Sequence, residues 1–383
     1  MKKLVIVGAN NFQLPLIKKA KELGMETHVF AWEKGAVGKE FADRFYPISI
    51  IEKERILKEV AGIKPDGIVS IASDLAIATV NHVAAKLGLI GNSLACTMVT
   101  TNKYAMRECL SQGGLPCPKY TMSVDLEEIS GICGDFPLIV KPTDRSGSRG
   151  VTKVSNEKDM AGAIARARSE SFIGGHIVEQ FIVGQEYSVE MISWQGEHYF
   201  LQITEKETSG EPYYVEKAHH QPAALPVLLQ EKVIALVKKS LTCLGVESGA
   251  SHSEILLTAE GEIYIVEIGA RMGGDYIGSH LVELSTGYDF VKGVIDIALG
   301  NFDGIRKSEP MYSGIYYIFA KPGILNIIIS HAEKHPEIVF SEVYCKIGNE
   351  MKEVKESNER AASYIYRSAT GKFGHSDEII ILK

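Results

Sequence analysis

The sequence predicts a protein of mixed α/β and α+β class, in which a doubly wound parallel-sheet domain precedes two α+β lobes and a small β-rich lobe. Its 383 residues exceed what one ordinary hydrophobic core supports. Short β-branched strands alternate with helical periodicity near the start, whereas later strands occur in pairs joined by glycine-containing turns. We expect domains at residues 1–93, 94–309 and 310–383, with the central domain divided into lobes of about 115–183 and 184–309.

The composition limits the classes of partner. The formal net charge of −7 argues against sequence-independent nucleic-acid binding, since that needs a concentrated basic surface. No apolar stretch is long enough to span a bilayer, so no membrane partner is expected. The six cysteines lie far apart without a CxxC pair, which is typical neither of a zinc site nor of a disulfide framework. We therefore expect a protein of the reducing cytoplasm.

The N-terminal domain is predicted from alternating strand and helix patterns. Its predicted elements are strand Leu4–Val7, helix Leu14–Leu23, strand Glu26–Phe30, strand Asp66–Ser70, helix Leu75–Leu87 and strand Leu89–Gly91. This order gives β-α-β units and hence a parallel sheet. The turn at residues 8–13 lacks the second and third glycines of a dinucleotide-binding fingerprint, so a dehydrogenase is not predicted.

The rest of the chain is predicted as α+β followed by mostly β structure. The predicted elements are a helix capped near Asn102 and running through Leu110, strands Phe136–Pro142 and Ile177–Phe181, paired strands Tyr187–Ser193 and Tyr199–Thr204, helix Leu228–Leu244, paired strands Ser253–Leu257 and Ile263–Ile268, and tail strands Ser313–Phe319, Val339–Tyr344, Ala362–Tyr366 and Ile379–Leu382. Segments 144–150 and 206–211 are predicted to be mobile covers, and the histidine-containing segment 216–222 is predicted to be a loop.

The first chemical motif is a strand that ends in Lys141, followed by a polar loop at residues 143–150. Small residues in this loop let backbone N–H groups approach phosphate oxygens, while Lys141, Arg145 and Arg149 supply positive charge. A solvated hairpin turn of the same composition is an equally good interpretation of this motif taken alone.

The second motif is a pair of carboxylates, Glu254 and Glu267, on the two strands of one hairpin. Their offset places both on one face, where two carboxylates repel unless a cation such as Mg²⁺ lies between them. Glu267 also interrupts an apolar strand, so its charge needs a partner. The alternative is a simple ion pair between Glu267 and Arg271. Glycines around Arg271 suggest backbone held open for a ligand.

The third motif is the strand exit at residues 178–182, followed by the strand-like segment 184–190. An apolar strand that leaves into a short connector can present backbone N–H and C=O groups to an adenine edge, and carboxylates just beyond can hold a ribose. Taken alone, it is equally an ordinary strand-turn-strand.

The order of these motifs resembles that of the ATP-grasp superfamily over nearly the whole chain. The ordered set comprises Lys103, Lys141, the loop 143–150, Val178–Phe181, Glu186–Glu190, His252–Glu254 and Glu267–Arg271. Residues 252–258 and 266–275, and the tail from Pro310, most resemble the L-amino-acid ligases, with more distant similarity to biotin carboxylase, glycinamide ribonucleotide synthetase and D-alanine:D-alanine ligase. The resemblance implies an ATP-grasp fold after the first domain.

The resemblance also implies roles for individual residues. Lys103 and Lys141 would contact ATP phosphates beneath a lid formed by the loop, Arg271 and Lys141 would act in catalysis, and Glu254 and Glu267 would hold one or two Mg²⁺ ions, for which Mn²⁺ can substitute. The implied ATP-binding residues are Lys103, Lys141, Ser146, Gly147, Ser148, Gly150, Glu179, Gln180, Phe181, Ile182 and, at the ribose, Glu186. The implied substrate residues are Arg271, Gly273, Gly274, His219, His220, Ser73 and Asp74.

The activity implied is that of an ATP-dependent carboxylate-amine ligase that forms an acyl phosphate, releases ADP and phosphate, and acts on an amino acid. The alternatives are an ATP-grasp ligase of nucleotide metabolism, a carboxylase-like enzyme, and a nucleotide-binding protein without catalysis. The last is suggested by Gly269, which stands where many relatives carry asparagine. The expected partners are small carboxylate and amine substrates and, by the same resemblance, a second copy of the chain in a homodimer.

Overall fold

The N-terminal domain is built on a parallel sheet of four strands. The structure is a computed structural model that describes residues 1–211, 214–376 and 378–382. The elements are β1 (Lys3–Val7), α1 (Leu14–Glu22), β2 (Glu26–Phe30), β3 (Arg44–Tyr46), α2 (Lys53–Ile63), β4 (Gly67–Val69) and α3 (Asp74–Leu87). The strand order is β3-β2-β1-β4, with every pairing parallel. The doubly wound fold class is confirmed.

Alternation along β1 explains why helices cover both faces of this sheet. Leu4 and Ile6 lie in one apolar cluster, which includes α1, and Val5 and Val7 lie in another, which includes α2 and α3. The predicted strand Leu89–Gly91 is wrong, because these residues form an irregular connection after α3. The sheet gains instead the short strand β3, whose pattern is too brief to detect in sequence.

The first α+β lobe follows a pair of helices. The elements are α4 (Leu94–Thr101), α5 (Lys103–Gln112), β5 (Tyr120–Thr121), α6 (Leu126–Cys133), β6 (Leu138–Pro142), β7 (Thr152–Val154), α7 (Glu157–Glu170) and β8 (His176–Gln180). Asn102 caps α5 as predicted, since its side chain accepts from the backbone N–H of Ala105 at 3.0 Å. The four strands pair antiparallel in the order β5-β8-β6-β7.

The second lobe is organised around a long antiparallel sheet. The elements are β9 (Gln185–Trp194), β10 (Glu197–Thr208), β11 (Glu216–Gln221), α8 (Val227–Cys243), β12 (Gly249–Leu257), β13 (Ile263–Gly269), α9 (Val282–Thr286) and α10 (Phe290–Ala298). The turns at Gly196 and Gly261 both have positive φ, of +80° and +85°, as glycine turns favour. Helix α10 packs with α1 on the N-terminal sheet and so joins the lobe to the first domain.

The tail extends the same long sheet. Its elements are β14 (Tyr312–Ile318), β15 (Gly323–Ile324), β16 (Ile328–Ser330), β17 (Ile338–Val343), β18 (Glu350–Met351), β19 (Ala362–Ser368) and β20 (Ile380–Leu382). The sheet order is β13-β12-β9-β10-β11-β14-β19-β17, so pairing continues across the predicted boundary at residues 309 and 310. The domain limits stay predictions. In the part of the chain that the structure describes, no helix is long and apolar enough to cross a membrane.

Candidate active site

The predicted carboxylate pair lies on neighbouring strands of the long sheet. Glu254 on β12 and Glu267 on β13 are directly opposite partners in the antiparallel register, so their side chains share a face. Each carboxylate meets a cation. Lys103 donates from Nζ to Glu267 Oε1 at 2.8 Å, and Lys206 donates to Glu254 Oε1 at 2.8 Å. Helix α5, which carries Lys103, is thereby tied to the pair.

Lys206 is a site residue that the sequence did not reveal. It was predicted to lie in a mobile cover, but it lies on β10 with only 5% of its surface exposed. Its ammonium bridges Glu254 and the predicted ribose ligand Glu186. Burial opposes the charge, but the two carboxylates outweigh burial and hold the pKa of Lys206 well above its usual range. The side chain neutralises part of an otherwise acidic site.

Lys141 and Glu179 form a buried charged group with Arg107 of α5. Glu179 Oε2 lies 2.7 Å from Lys141 Nζ, and Glu179 Oε1 lies 2.9 Å from Arg107 Nε. Burial opposes ionisation of Glu179, but Arg107 and Lys141 hold its pKa below the usual range. Burial also lowers the pKa of Lys141. Arg107, fully buried and 159 residues from its carbonyl partner Val266, carried no signal in the sequence.

Arg271 is held by the N-terminal domain and not by Glu267, so the simple ion pair weighed from the sequence is wrong. Its Nε lies 2.9 Å from Asp74 Oδ1, and a second nitrogen lies 3.1 Å from Asp74 Oδ2. Burial disfavours the charge, but Asp74 raises the pKa of Arg271 above its usual value. Asp74 is the first residue of α3, and Ser73 caps this helix by accepting from the backbone N–H of Ala76 at 3.3 Å. The start of α3 therefore positions the arginine.

This pair also explains Gly269. A Cβ atom at position 269 would lie 3.0 Å from Arg271 Nε and 3.1 Å from Asp74 Oδ1. Any larger side chain, asparagine included, would push on the paired groups. The glycine is thus matched to the bidentate Arg271–Asp74 contact in this chain.

A second buried pair lies beside the carboxylates. His252 on β12 contacts Glu190 on β9 through Nδ1 at 2.5 Å, and the backbone N–H of Gly273 donates to the other oxygen of Glu190 at 3.3 Å. Burial opposes the charge of His252, but Glu190 raises the pKa of this imidazole to about 9. The Nε2 atom of His252 lies 3.5 Å from Glu254 Oε1. Gly274 follows directly in the same loop.

The predicted phosphate loop lies at the end of β6. Gly147, Ser148 and Gly150 adopt positive φ of +69°, +56° and +73°, and residues 147–149 are exposed. The carbonyl of Ser146 accepts from Arg149 Nε at 3.3 Å. The guanidinium of Arg145 lies over the Phe172 ring, 4.2 Å from its centre. The Arg145 carbonyl accepts from Lys103 at 2.7 Å and links the loop to α5.

The strand exit proposed for the adenine follows β8. Gln180 is the last residue of β8 and donates from its backbone N–H to Lys119 O at 2.9 Å. Phe181 and Ile182 lie in the connector to β9, where Lys153 Nζ lies 4.3 Å from the centre of the Phe181 ring. The adenine role of this connector stays a prediction.

The paired histidines do not lie in a loop. Segment 216–221 forms strand β11 inside the long sheet, where His219 and His220 are 1% and 3% exposed. His219 lies 3.7 Å from Asp275, four residues beyond Arg271. His220 contacts Tyr366 OH at 3.0 Å, and burial lowers its pKa to about 4. The polar composition of this strand, Glu-Lys-Ala-His-His-Gln, favoured the wrong prediction of a loop.

Glu254 and Glu267 are the candidate metal ligands of the site. Among the described residues, no group of three or more His, Cys, Asp or Glu side chains could hold a metal alone. Mg²⁺ is commonly bound by one or two carboxylates together with phosphate oxygens and water. The facing carboxylates of Glu254 and Glu267 fit that donor set.

Comparisons with known proteins find a matching family and similar chains. Residues 134–279 match the family described as the ATP-grasp domain. The alanine–anticapsin ligase of Bacillus subtilis strain 168 is 25% identical over 288 residues, which are 68% of this chain and 60% of that ligase. The chain thus spans about six tenths of the length of this curated relative.

Two solved structures share the fold. An L-amino acid ligase from Bacillus licheniformis superposes with a TM-score of 0.82 at 23% identity, covering 97% of this chain and 94% of that one. A phosphoribosylglycinamide synthetase from Anaerococcus prevotii gives 0.79 at 24% identity, with coverage of 96% and 94%. The resemblance to the ATP-grasp superfamily is confirmed for residues 134–279 by the family match and for the fold by these two structures.

Proposed function

We propose that the chain, in which residues 134–279 match the ATP-grasp domain, is an ATP-dependent carboxylate-amine ligase. The proposed reaction transfers the γ-phosphoryl group of ATP to a substrate carboxylate, and an amine then displaces phosphate from the acyl phosphate. The products are an amide or peptide, ADP and phosphate. The proposed carboxylate substrate is an amino acid, as the name of the alanine–anticapsin ligase suggests.

The observation that carries the proposal is the facing pair Glu254 and Glu267, surrounded by cations from separate elements. Lys103 contacts one carboxylate, Lys206 contacts the other, and Arg271 lies on the loop that follows β13. Phosphoryl transfer requires positive groups fixed around a metal-nucleotide complex, since charge spreads over the phosphoryl oxygens in the transition state. The arrangement meets that requirement without a side-chain nucleophile.

We propose the following roles, which the family resemblance implies. Glu254 and Glu267 would hold Mg²⁺, which when bound neutralises phosphate charge. Lys103 and Lys141 bind phosphate oxygens, and Arg271, fixed by Asp74, stabilises the transferred group and the acyl phosphate. The exposed loop at residues 147–149 closes over the nucleotide and excludes water, which would otherwise hydrolyse the intermediate.

The contacts of two lysines support these assignments. Lys103 and Lys206 are paired with acidic side chains that the proposal gives to metal and ribose. The two ammonium groups would share these carboxylates with the metal and would then be available to anionic phosphates. The same groups therefore keep the charge of the site balanced with and without nucleotide.

The test is an assay of the purified protein with Mg-ATP and each of the twenty amino acids, singly and in pairs. The proposal predicts amino-acid-dependent release of ADP and phosphate that is lost in Glu267→Ala. Glu262→Ala is a matched control, since Glu262 lies in the turn before β13 and contacts Tyr264. No amino-acid-dependent turnover, with ATP still bound, would move the substrate to nucleotide metabolism, and AMP as product would refute the acyl-phosphate route.

A further inference from the structure

One buried ionic contact joins three parts of the site. Glu190 is fully buried, and its carboxylate receives His252 on one oxygen and the backbone N–H of Gly273 on the other. His252 is also the register partner of both Glu190 and Gly269. The contact therefore connects β9, β12 and the loop that begins with Arg271.

The same histidine reaches a proposed metal ligand. Its second ring nitrogen lies 3.5 Å from Glu254 Oε1, the oxygen that also accepts from Lys206. His252 and Lys206 thus contact the same oxygen of Glu254 and leave the other oxygen of that carboxylate for a further partner. Groups that hold a metal ligand in this way fix its orientation and raise the affinity of the site.

Space around the pair is restricted. A Cβ atom at position 273 would lie 2.8 Å from His252 Nδ1 and 3.0 Å from Glu190 Oε2. The loop that carries Arg271 can approach the pair this closely only because residue 273 is glycine. A displacement of the pair would therefore move the loop as well as Glu254.

We propose that Glu190 and His252 form a positioning pair that sets Glu254 and the Arg271 loop at a fixed separation. The proposal rests on the proposed function, in which Glu254 binds the nucleotide-associated cation and Arg271 the phosphoryl group. In this proposal, neither residue of the pair needs to contact the substrate. Each acts through the group that it holds.

A purely structural histidine in the same sheet shows what packing alone requires. His198 has the same 6% exposure as His252, but it contacts the neutral hydroxyl groups of Ser193 at 2.8 Å and Thr242 at 3.1 Å. Because burying a carboxylate costs far more than burying a hydroxyl, packing of a histidine in this sheet does not require the anionic partner that His252 has.

The experiment measures Mn²⁺ binding in the presence of a non-hydrolysable ATP analogue, by electron paramagnetic resonance of the free ion. Glu190→Gln keeps the shape but can accept only through one oxygen, and Gly273→Ala presses on the pair without removing it. Both variants should bind Mn²⁺ about 10- to 100-fold more weakly and show a raised KM for Mg-ATP. His198→Gln, the matched control, should bind Mn²⁺ as the parent protein does.

The possible results separate this inference from the proposed function. Absence of analogue-dependent Mn²⁺ binding in the parent protein would refute the metal site itself. Parent-like Mn²⁺ affinity in Gly273→Ala and in a folded Glu190→Gln would refute only the positioning role. If Glu190→Gln does not fold, the Mn²⁺ affinity of Gly273→Ala alone tests the positioning role. An equal loss of Mn²⁺ affinity in His198→Gln would show a general effect of sheet packing and would overturn the inference.

Discussion

Separate replacement of Glu179 and Lys141 distinguishes a residue that stabilises the fold from one that serves a ligand. In Glu179→Gln, the cations Arg107 and Lys141 stay buried without a carboxylate between them. In Lys141→Met, the Arg107–Glu179 contact of 2.9 Å remains, and a buried ammonium is replaced by an apolar group of similar volume. Glu179→Gln should therefore lower stability more than Lys141→Met does, whereas Lys141→Met should lower activity more.

The magnitudes follow from the burial of the group. Removing one partner of a buried ion pair costs about 3–5 kcal/mol because a charge is left uncompensated, so Glu179→Gln should lower the unfolding temperature by roughly 5–10 °C. Burial already lowers the pKa of Lys141, which means that the fold gains little from its charge. Lys141→Met should change stability by less than about 1 kcal/mol and lower the ligase rate by about 100-fold or more.

Thermal unfolding followed by circular dichroism, with ADP release measured on the same preparations, tests this contrast. The reasoning would be refuted if Lys141→Met unfolded as early as Glu179→Gln, or if it kept the rate of the parent protein. The first result would show that Lys141 is a structural cation, and the second would remove it from the phosphate site.

Two further predictions concern single positions. Because burial lowers the pKa of His220 to about 4 from an ordinary 6.5, the unfolded chain takes up this proton first on acidification, so stability should fall between pH 6.5 and 4. The loss should approach about 1.4 kcal/mol per pH unit and be smaller in His220→Gln, as measured by unfolding temperature against pH. Gly269→Asn should displace Arg271 from Asp74 and lower the rate of phosphate release about 10- to 100-fold. Nucleotide binding should be retained, which titration calorimetry would check. An unchanged rate would contradict the close contact.

Local patterns were sufficient to predict much of the fold. Alternation of apolar residues with a turn glycine at Gly261 places Glu254 and Glu267 on one face, and the structure has them as direct partners. The helix cap at Asn102 and the parallel N-terminal sheet follow from equally local signals. These features depend on residues close together in sequence, where period and turn chemistry are informative.

Contacts between distant segments could not be predicted in this way. Asp74 and Arg271 are 197 positions apart, and Lys103 and Glu267 are 164 apart. Nothing in the local pattern of either residue specifies its partner. The family resemblance identified Asp74 as a candidate substrate residue. Its contact with Arg271 could be found only in the structure, where the two segments pack together.

Polar segments that become buried caused two of the wrong assignments. Lys206 and the histidines of β11 lie in polar runs that favour solvent when taken alone. In the structure, Lys206 and His220 are buried beside partners from other strands, Glu254 and Tyr366. The polarity of these segments predicted that their side chains would be exposed. In the structure, partners on distant segments allow them to be buried.

The central claim is that a carboxylate is activated as an acyl phosphate. The most direct measurement supplies the substrate amino acid with ¹⁸O in both carboxylate oxygens, together with Mg-ATP and the amine, and determines the mass of the released phosphate. The account predicts that one ¹⁸O atom passes into the phosphate released with ADP. Phosphate without ¹⁸O, or ¹⁸O found in AMP, would contradict it.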